Sequence, residues 1–445
     1  MDDLGLRNAD LEWALAEVRE AYVARNPRSH ARFVEATEVM PGGNTRSVLF
    51  YAPFPVSLAR GEGAHLWDLD GARYIDFLGE YTAGIYGHSH PAIRRAVEAA
   101  LDGGINLGGH NLLEARFARA VTERFGLERV RFTNSGTEAN LMALATAAAV
   151  TGRPKVLAFR GGYHGGVFTF SGGGSPTNAP YDFVLARYND TEGAVAAIRA
   201  EAGALAAVII EPMMGGGGCI PGEPAFLAAL IAAAREAGAV AIFDEVMTSR
   251  LAAGGLARKY GLDPDLVTLG KYIGGGMSFG AFGGRAALLD RFDPRRADAL
   301  PHAGTFNNNV LTMAAGLAGI TEIYTQAAAE ALNARGEALR ARLNALCECR
   351  GAPMQFTGIG SMMTVHFTAA PIRAPEDWAN ADPRLKELFF FDLLAAGLWI
   401  ARRGMINLSL PIGEPECERL VEAIEEFLQA RGPLLAAPPG ASVSG

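Results

Sequence analysis

Two stretches decide the fold: Val240-Ala-Ile-Phe-Asp244-Glu245 and Thr268-Leu-Gly-Lys271-Tyr-Ile-Gly-Gly-Gly276, in which Lys271 lies 27 residues after Asp244. Each is a short apolar run that ends at a charged side chain, and glycines follow the lysine. Runs of this kind indicate buried strands, and glycines after a strand indicate a close approach of the backbone to a ligand. The sequence therefore places Asp244 and Lys271 at strand ends, where Lys271 is a candidate reactive amine.

The surrounding sequence alternates between short apolar runs and helical stretches. A helix rich in small apolar residues is predicted over residues 224–237, between two of the strands. Gly238 is expected to end it. Strands are predicted over residues 155–159, 207–210, 240–243 and 265–269. Strand, helix and strand in this order predict an α/β fold with a mostly parallel sheet and helices on both faces.

A third segment has the composition of a phosphate site. Residues 130–132 form an apolar run that leads into Ser135, Gly136 and Thr137, and an alanine-rich helix is predicted over residues 139–149. The N-terminus of such a helix offers free N–H groups and the positive end of the helix dipole. An amine, a carboxylate and a phosphate cradle are the three groups that pyridoxal phosphate chemistry requires of a protein.

Each of these groups alone has an ordinary structural explanation, but six stretches together resemble the class III aminotransferases, which are fold type I pyridoxal phosphate enzymes. The resemblance extends from about residue 40 to about residue 411. The stretches are Asn134-Ser-Gly-Thr-Glu-Ala-Asn140, Gly161-Gly-Tyr-His-Gly165, Ile209-Ile-Glu211-Pro212, Ile242-Phe-Asp-Glu-Val246, Leu269-Gly-Lys271 and Gly304-Thr305-Phe306.

The resemblance implies a role for each of these residues. Lys271 would form the Schiff base with pyridoxal 5'-phosphate, and Asp244 would face the ring nitrogen. Tyr163 would stack on the ring, and Thr305 would reach the phosphate of a neighbouring subunit, so the enzyme would be a homodimer with shared active sites. The remaining cofactor-binding residues would be Ser135, Gly136, Thr137, Glu211 and Val246.

The same resemblance implies a large and a small domain. Residues 1–75 would contribute to the small domain, residues 76–325 would form the large cofactor-binding domain, and residues 326–432 would complete an α+β small domain. Residues 433–445 would be a loose tail. Helices are predicted from Asp10 to about residue 25, over residues 327–346 and over residues 414–431, and strands over residues 360–367 and 405–410.

Two arginines are candidates for binding a substrate carboxylate, because a guanidinium group binds carboxylates bidentately and stays charged. They are Arg46, within an aromatic segment, and Arg403. Both match the β-amino acid aminotransferases that act on β-phenylalanine, which pass the amino group to a 2-oxo acid such as 2-oxoglutarate or pyruvate. Glutamate-1-semialdehyde aminomutases and a related racemase share the cofactor residues and stay open, as does a non-enzymatic, cofactor-binding regulatory domain.

Composition fits an enzyme that acts on small molecules. The 445 residues are 49% hydrophobic, and 40 basic against 48 acidic residues give a net charge of −8. Without a basic cluster or a long apolar stretch, neither a nucleic acid nor a membrane is an expected partner, and a cytoplasmic location is expected. The cysteines (219, 347, 349 and 417) and the histidines, including His88, His90 and His164, do not form a metal-binding pattern, so no metal is expected.

Overall fold

A seven-stranded sheet forms the centre of the structure, a computed structural model that describes residues 10–435. All neighbouring strands are parallel except Gly280–Gly284, which runs antiparallel to both of its neighbours. The predicted mostly parallel α/β sheet is therefore confirmed. In spatial order the strands are Arg129–Thr133, Gly280–Gly284, Leu266–Gly270, Val240–Asp244, Leu205–Ile210, Lys155–Phe159 and Asp182–Ala186.

The central strands bury both of their faces, because successive side chains point to opposite sides of the sheet. Ile210 and Phe243 pack in one apolar cluster with the helices Thr191–Ala200 and Pro224–Glu236. Ile209 and Ile242 pack on the other face in a second cluster, which includes the helix Gly136–Thr151. Helices thus cover both faces, as the apolar runs predict.

Most helices begin and end close to the predicted residues. Asp10 caps the helix Leu11–Arg25 by accepting a hydrogen bond from the Glu12 N–H. The helix predicted over residues 327–346 is slightly longer, from Gln326 to Cys349. The α-helices are Leu11–Arg25, Pro27–Thr37, Pro91–Asp102, Glu114–Phe125, Gly136–Thr151, Thr191–Ala200, Pro224–Glu236, Gly255–Lys259, Ala286–Leu289, Val310–Ala318, Gln326–Cys349, Pro383–Ala395 and Glu414–Leu435.

Smaller sheets join the two ends of the chain. One sheet contains Leu58–Glu62, His65–Asp68, Arg73–Asp76 and the late strand Leu398–Trp399, which pairs in parallel with Arg73–Asp76. Another contains Gln355–Ile359, Met362–His366 and Met405–Asn407, all antiparallel, and a two-stranded one pairs Met213–Met214 with Ile220–Pro221. The domain boundaries within this arrangement stay a prediction.

Three details near the C-terminus differ from the prediction. The strand predicted over residues 405–410 is shorter and ends at Asn407. The single strand expected over residues 360–367 is the second arm of a hairpin, because Gly360 has a φ of 55° and turns the chain. The last helix continues to Leu435, three residues into the segment predicted as a loose tail, and it buries Leu434 and Leu435 in the core. The rest of that predicted tail, residues 436–445, lies outside the described residues, as do residues 1–9.

The topology places four of the predicted site residues at one edge of the large sheet. Asp244 is the last residue of its strand, Lys271 and Glu211 directly follow theirs, and Ser135 lies two residues beyond the end of its strand. These strands run in the same direction, so their carboxyl ends meet at the edge where open α/β sheets bind ligands. This edge of the sheet is therefore the candidate site.

Candidate active site

Asp244 is the buried centre of this edge. Its carboxylate is 4% exposed and accepts three hydrogen bonds. Oδ2 accepts from Asn140 Nδ2 at 2.7 Å and pairs with His164 Nδ1 at 2.8 Å, and Oδ1 accepts from the Val246 N–H at 2.9 Å. The three partners come from a helix, a loop and the next turn, so the carboxylate is held in one orientation.

His164 and Asn140 form the layer behind this aspartate. Asn140 Nδ2 also donates to the His164 carbonyl oxygen, and its side-chain oxygen accepts from Thr268 Oγ1 at 2.6 Å. Burial lowers the pKa of His164, but the hydrogen bond and the charge of Asp244 outweigh burial, so the net pKa shift is upward. The structure thus places His164 in direct contact with the Asp244 carboxylate.

Lys271 directly follows the strand that pairs with the strand of Asp244, and its φ of 55° is rare for a residue with a side chain. Burial lowers the pKa of its amine, the charge of Asp244 opposes that shift, and Arg403 and Arg46 add to it while Glu211 opposes it. A lowered pKa increases the fraction of neutral amine, which is the nucleophilic form. The glycines after Lys271 serve packing in part, since a Cβ on Gly275 would overlap Ala315.

The helix Gly136–Thr151 begins beside Asp244 and Lys271. Ser135 caps it by accepting from the Glu138 N–H at 3.1 Å, and the Glu138 carboxylate accepts from the Asn134 N–H. The first N–H groups of a helix have no partner within it, so Gly136 and Thr137 present donors at this end. A Cβ on Gly136 would lie 2.8 Å from Val246 Cγ1, so the side chain of Val246 closes one wall of the edge.

Glu211 holds the loop that carries Tyr163. Its two carboxylate oxygens accept from the N–H groups of Tyr163 and Gly215, both at 3.0 Å. Burial raises the pKa of Glu211 to about 7. The Tyr163 ring itself is 47% exposed and therefore free to cover a planar ligand.

Arg46 and Arg403 approach the site from the two ends of the chain and meet at one aromatic ring. The guanidinium carbons lie 5.4 and 5.1 Å from the centre of the Tyr81 ring. Arg46 also forms an ion pair with Glu80, and Arg403 Nη2 lies 3.6 Å from Met405 Sδ. Within residues 10–435, Arg403 Nε is buried without a hydrogen-bond partner. Both charges are close enough to Lys271 to influence its amine.

Sequence reasoning missed Tyr81 and Glu80, because their placement depends on an uncommon backbone path. Gly79, Glu80, Tyr81 and Thr82 all have positive φ values, of 52°, 47°, 53° and 82°. Left-handed conformations are disfavoured for residues other than glycine, and no residue pattern announces them here. Asn140 lies in the stretch Asn134-Ser-Gly-Thr-Glu-Ala-Asn140, but its position there does not indicate a hydrogen bond to the Asp244 carboxylate.

Thr305 is placed differently from the other predicted cofactor residues. It is exposed and lines a surface cavity of about 420 Å³ together with the segment 106–111 and Phe306. Two residues later, Asn307 Oδ1 accepts from Asn134 Nδ2 at 3.0 Å, so the segment adjoins the start of the helix that Ser135 caps. The contact that the resemblance implies, with the phosphate of a neighbouring subunit, stays a prediction.

The chemistry of this edge fits pyridoxal phosphate. Asp244 is a buried carboxylate whose partners leave one lone pair of Oδ1 for a further donor, which suits a protonated ring nitrogen. Lys271 is an amine with a lowered pKa, and the helix beginning at Gly136 supplies N–H donors for a phosphate. Among residues 10–435, no cluster of histidine, cysteine and carboxylate side chains is arranged for a metal, and no helix has the length and apolarity to span a membrane.

Known proteins match this chain in sequence and in structure over nearly its whole length. The β-phenylalanine transaminase of Variovorax paradoxus is 56% identical over 431 residues, which cover 97% of this chain and 99% of that protein. The solved structure of a β-phenylalanine aminotransferase from the same organism matches with a TM-score of 0.94, covering 96% and 99% of the two chains. An omega-transaminase from Sphaerobacter thermophilus matches with a TM-score of 0.87 at 37% identity, covering 92% and 100% of the two chains.

A branch with a different activity is also related. The glutamate-1-semialdehyde 2,1-aminomutase of Sorangium cellulosum is 39% identical, covering 91% of this chain and 97% of that protein. The sequence profile described as "Aminotransferase class-III" matches residues 50–428, well over half of the chain. The chain therefore belongs to the class III aminotransferases, enzymes of fold type I that depend on pyridoxal phosphate.

Proposed function

We propose that this aminotransferase takes the amino group of an aromatic β-amino acid such as β-phenylalanine and passes it to a 2-oxo acid, 2-oxoglutarate or pyruvate. The observation that carries the proposal is the pair of guanidinium groups, Arg46 and Arg403, on one tyrosine ring close to Lys271. The identity of 56% with a β-phenylalanine transaminase supports it.

The two arginines answer a geometric requirement of this reaction. A β-amino acid has its carboxylate one carbon further from the reacting amine than an α-amino acid, whereas the 2-oxo acid has its carboxylate next to the reacting carbon. One lysine can serve both substrates only if two carboxylate anchors lie at different positions. In the proposal Arg46 binds the carboxylate of the β-amino acid and Arg403 the α-carboxylate of the oxo acid.

Lys271 and Asp244 carry the chemistry. Bound pyridoxal phosphate supplies an electron sink for the carbon that loses its proton. Lys271 Nζ would hold the cofactor and would accept the proton from the amino-bearing carbon; burial lowers the pKa of this amine and so favours its neutral, proton-accepting form. Asp244 keeps the ring nitrogen protonated, and His164 and Asn140 keep the carboxylate oriented.

Other cofactor contacts are proposed from the same geometry. Ser135, Gly136 and Thr137 would hold the phosphate at the helix N-terminus. Val246, next to Gly136, and the exposed Tyr163, whose backbone N–H bonds Glu211, would contact the ring. Each of these groups binds or orients, so substituting one should weaken cofactor retention before it changes substrate choice.

The proposal includes a homodimer in which Thr305 completes the phosphate site of the neighbouring subunit. Apolar side chains are exposed around the cavity that Thr305 lines: Leu107 is 56% exposed, Leu112 90% and Phe306 57%. A surface with this many exposed apolar side chains is typical of an interface between subunits. A sedimentation measurement that finds only monomers at micromolar concentration would contradict it. A cytoplasmic location stays a prediction from the sequence.

Turnover with paired substrates tests the function. The cofactor-loaded protein, given β-phenylalanine and 2-oxoglutarate or pyruvate, should form glutamate or alanine together with a β-keto acid, which tends to lose carbon dioxide. Glutamate-1-semialdehyde is the comparison substrate, because aminomutases at 39% identity share the fold and need no acceptor. Turnover of the semialdehyde alone, without turnover of β-phenylalanine, would reject the proposal in favour of the aminomutase branch.

A further inference from the structure

Arg250 is a fully buried cation that has no counter-ion in the part of the chain that the structure describes. The residue is 1% exposed, and within residues 10–435 no carboxylate forms an ion pair with it. Burial is the largest influence on the pKa of its guanidinium group and lowers it. Burying an unpaired charge is costly, so a fold that retains one uses it for a contact that a neutral side chain would not make.

The guanidinium group of Arg250 joins two segments that are far apart in sequence. Nη1 donates to the carbonyl oxygen of Thr82 at 3.3 Å, and Nη2 donates to the carbonyl oxygen of Leu408. Thr82 ends the left-handed run that begins at Gly79 and includes Glu80 and Tyr81. Leu408 directly follows the strand Met405–Asn407.

These are the segments that shape both carboxylate anchors. Glu80 pairs with Arg46, and the Tyr81 ring lies against the guanidinium groups of Arg46 and Arg403. Arg403 stands two residues before the strand that leads to Leu408. Since left-handed residues persist only where the surroundings hold them, a fork that bonds the end of this run contributes to keeping Tyr81 in place.

The backbone of Arg250 is fixed independently of its side chain. Its carbonyl oxygen accepts from Tyr324 Oη and, at 3.0 Å, from Asn333 Nδ2. The preceding Ser249 carbonyl accepts from the hydroxyl of Tyr272, the residue after Lys271, at 3.1 Å. The turn is therefore anchored to the lysine segment, and the side chain extends from it to the substrate anchors.

We propose that Arg250 is a positioning residue for the substrate carboxylates: its forked side chain sets where Arg46 and Arg403 stand relative to Lys271. It touches neither substrate nor cofactor, and it acts through the Glu80–Thr82 turn and the segment ending at Leu408. The inference rests on the proposed function, because it assigns the two arginines to carboxylate binding. Its predicted signature is a loss of substrate affinity with retained cofactor binding.

The test compares Arg250→Lys with Arg124→Lys in the cofactor-loaded enzyme. Lysine keeps the charge but cannot bond two carbonyl groups as a fork. Arg124 is a matched control, because it lies in the same tyrosine cluster and bonds a carbonyl, that of Ile320 at 3.0 Å, away from both anchor segments. Measured quantities are KM for β-phenylalanine and for 2-oxoglutarate, kcat, the cofactor absorbance spectrum, and calorimetric binding of 3-phenylpropionate, which has the carboxylate but no amine.

Arg250→Lys should raise both KM values and the Kd of 3-phenylpropionate by about tenfold or more, with kcat within about threefold and an unchanged spectrum. Arg124→Lys should change none of them by more than about threefold. Unchanged KM and Kd values in Arg250→Lys, or a fall of kcat alone, would overturn the proposal. A wild-type enzyme that transaminates another amino acid but not β-phenylalanine would reject the proposed donor instead, a result separate from the comparison of the variants.

A second substitution keeps the proposal testable if Arg250→Lys does not fold. Arg250→Gln removes the buried charge and keeps an amide that can donate to one of the two carbonyl groups. It should show the same rise in KM and Kd at an unchanged cofactor spectrum. If neither variant yields folded, cofactor-loaded protein, the proposal is overturned, because Arg250 then serves the stability of the fold rather than the placement of the anchors.

Discussion

Replacing Asp244 by asparagine separates the charge of this side chain from its shape. The amide is nearly isosteric with the carboxylate, so the fold and the covalent bond to Lys271 should survive. One of its ends, however, becomes an NH₂ group that faces either the donors at Oδ2, which are Asn140 Nδ2 and His164, or the donor at Oδ1, the Val246 N–H. The substitution therefore removes the negative charge and places a donor against a donor.

The burial of the Asp244 carboxylate determines how much the substitution should slow the reaction. The carboxylate is 4% exposed, so water cannot replace its charge at the ring nitrogen. Loss of one preorganised electrostatic partner of a transition state typically costs about 3–4 kcal/mol, or roughly 10²- to 10³-fold in rate. The clash with a buried donor should also lower the free energy of unfolding by about 1–3 kcal/mol.

The assay is a single turnover with saturating β-phenylalanine and no acceptor, followed by the absorbance of the bound cofactor. Asp265→Asn is the control. Asp265 is also a buried carboxylate next to a strand, and it accepts hydrogen bonds from a backbone N–H and an arginine, but it lies before the start of its strand and so away from the site. The reasoning is refuted if Asp244→Asn slows the reaction less than about fivefold, or if Asp265→Asn slows it as much.

Three further predictions concern the other site residues. Arg46→Ala should raise KM for β-phenylalanine by about 10- to 100-fold and change KM for 2-oxoglutarate less, with the reverse for Arg403→Ala; equal effects of both variants in steady-state kinetics would reject the separate anchors. Lys271→Ala should fold and bind cofactor, yet show no turnover and no borohydride-stable adduct by mass spectrometry; an adduct on another lysine would move the reactive amine. Burial raises the pKa of Glu211 from its ordinary value of 4.5 to about 7. Between these two pH values the folded cofactor-free protein keeps a proton that the unfolded chain loses. The contribution of Glu211 to the free energy of unfolding therefore falls by roughly 3 kcal/mol as the pH rises from 4.5 to about 7. Glu211→Gln should flatten this part of the stability curve in denaturant titrations at pH 5 and pH 8, and an unchanged slope would contradict the raised pKa.

Residues at the ends of regular strands were predictable. Asp244, Lys271 and Glu211 each end or directly follow an apolar run, and such runs in an alternating α/β sequence have one stable arrangement, a parallel sheet with its carboxyl ends together. The phosphate segment at Ser135 was predictable for a similar reason, because a serine before a glycine and an alanine-rich stretch is a helix cap. Local patterns therefore predict the proposed cofactor-binding half of the site.

The proposed substrate-binding half of the site depends on long-range contacts that local sequence patterns do not encode. Tyr81 reaches both arginines only through a run of left-handed residues, and Arg250 has the sequence appearance of a surface residue although it is fully buried. The strand Gly280–Gly284 was also missed, since three of its five residues are glycines, which propensity disfavours in strands. A Cβ on Gly280 would lie 2.0 Å from the Ser135 carbonyl oxygen, so the glycine is required by the close approach of the phosphate segment.

The most direct test of the account is the half-reaction of the wild-type enzyme with β-phenylalanine alone. The account predicts that the absorbance of the lysine-bound cofactor bleaches to that of its amine form, and that 2-oxoglutarate or pyruvate restores it. Absence of bleaching by β-phenylalanine, in a protein whose cofactor spectrum responds to glutamate-1-semialdehyde, would contradict the account and leave Arg46 and Arg403 without the roles proposed for them.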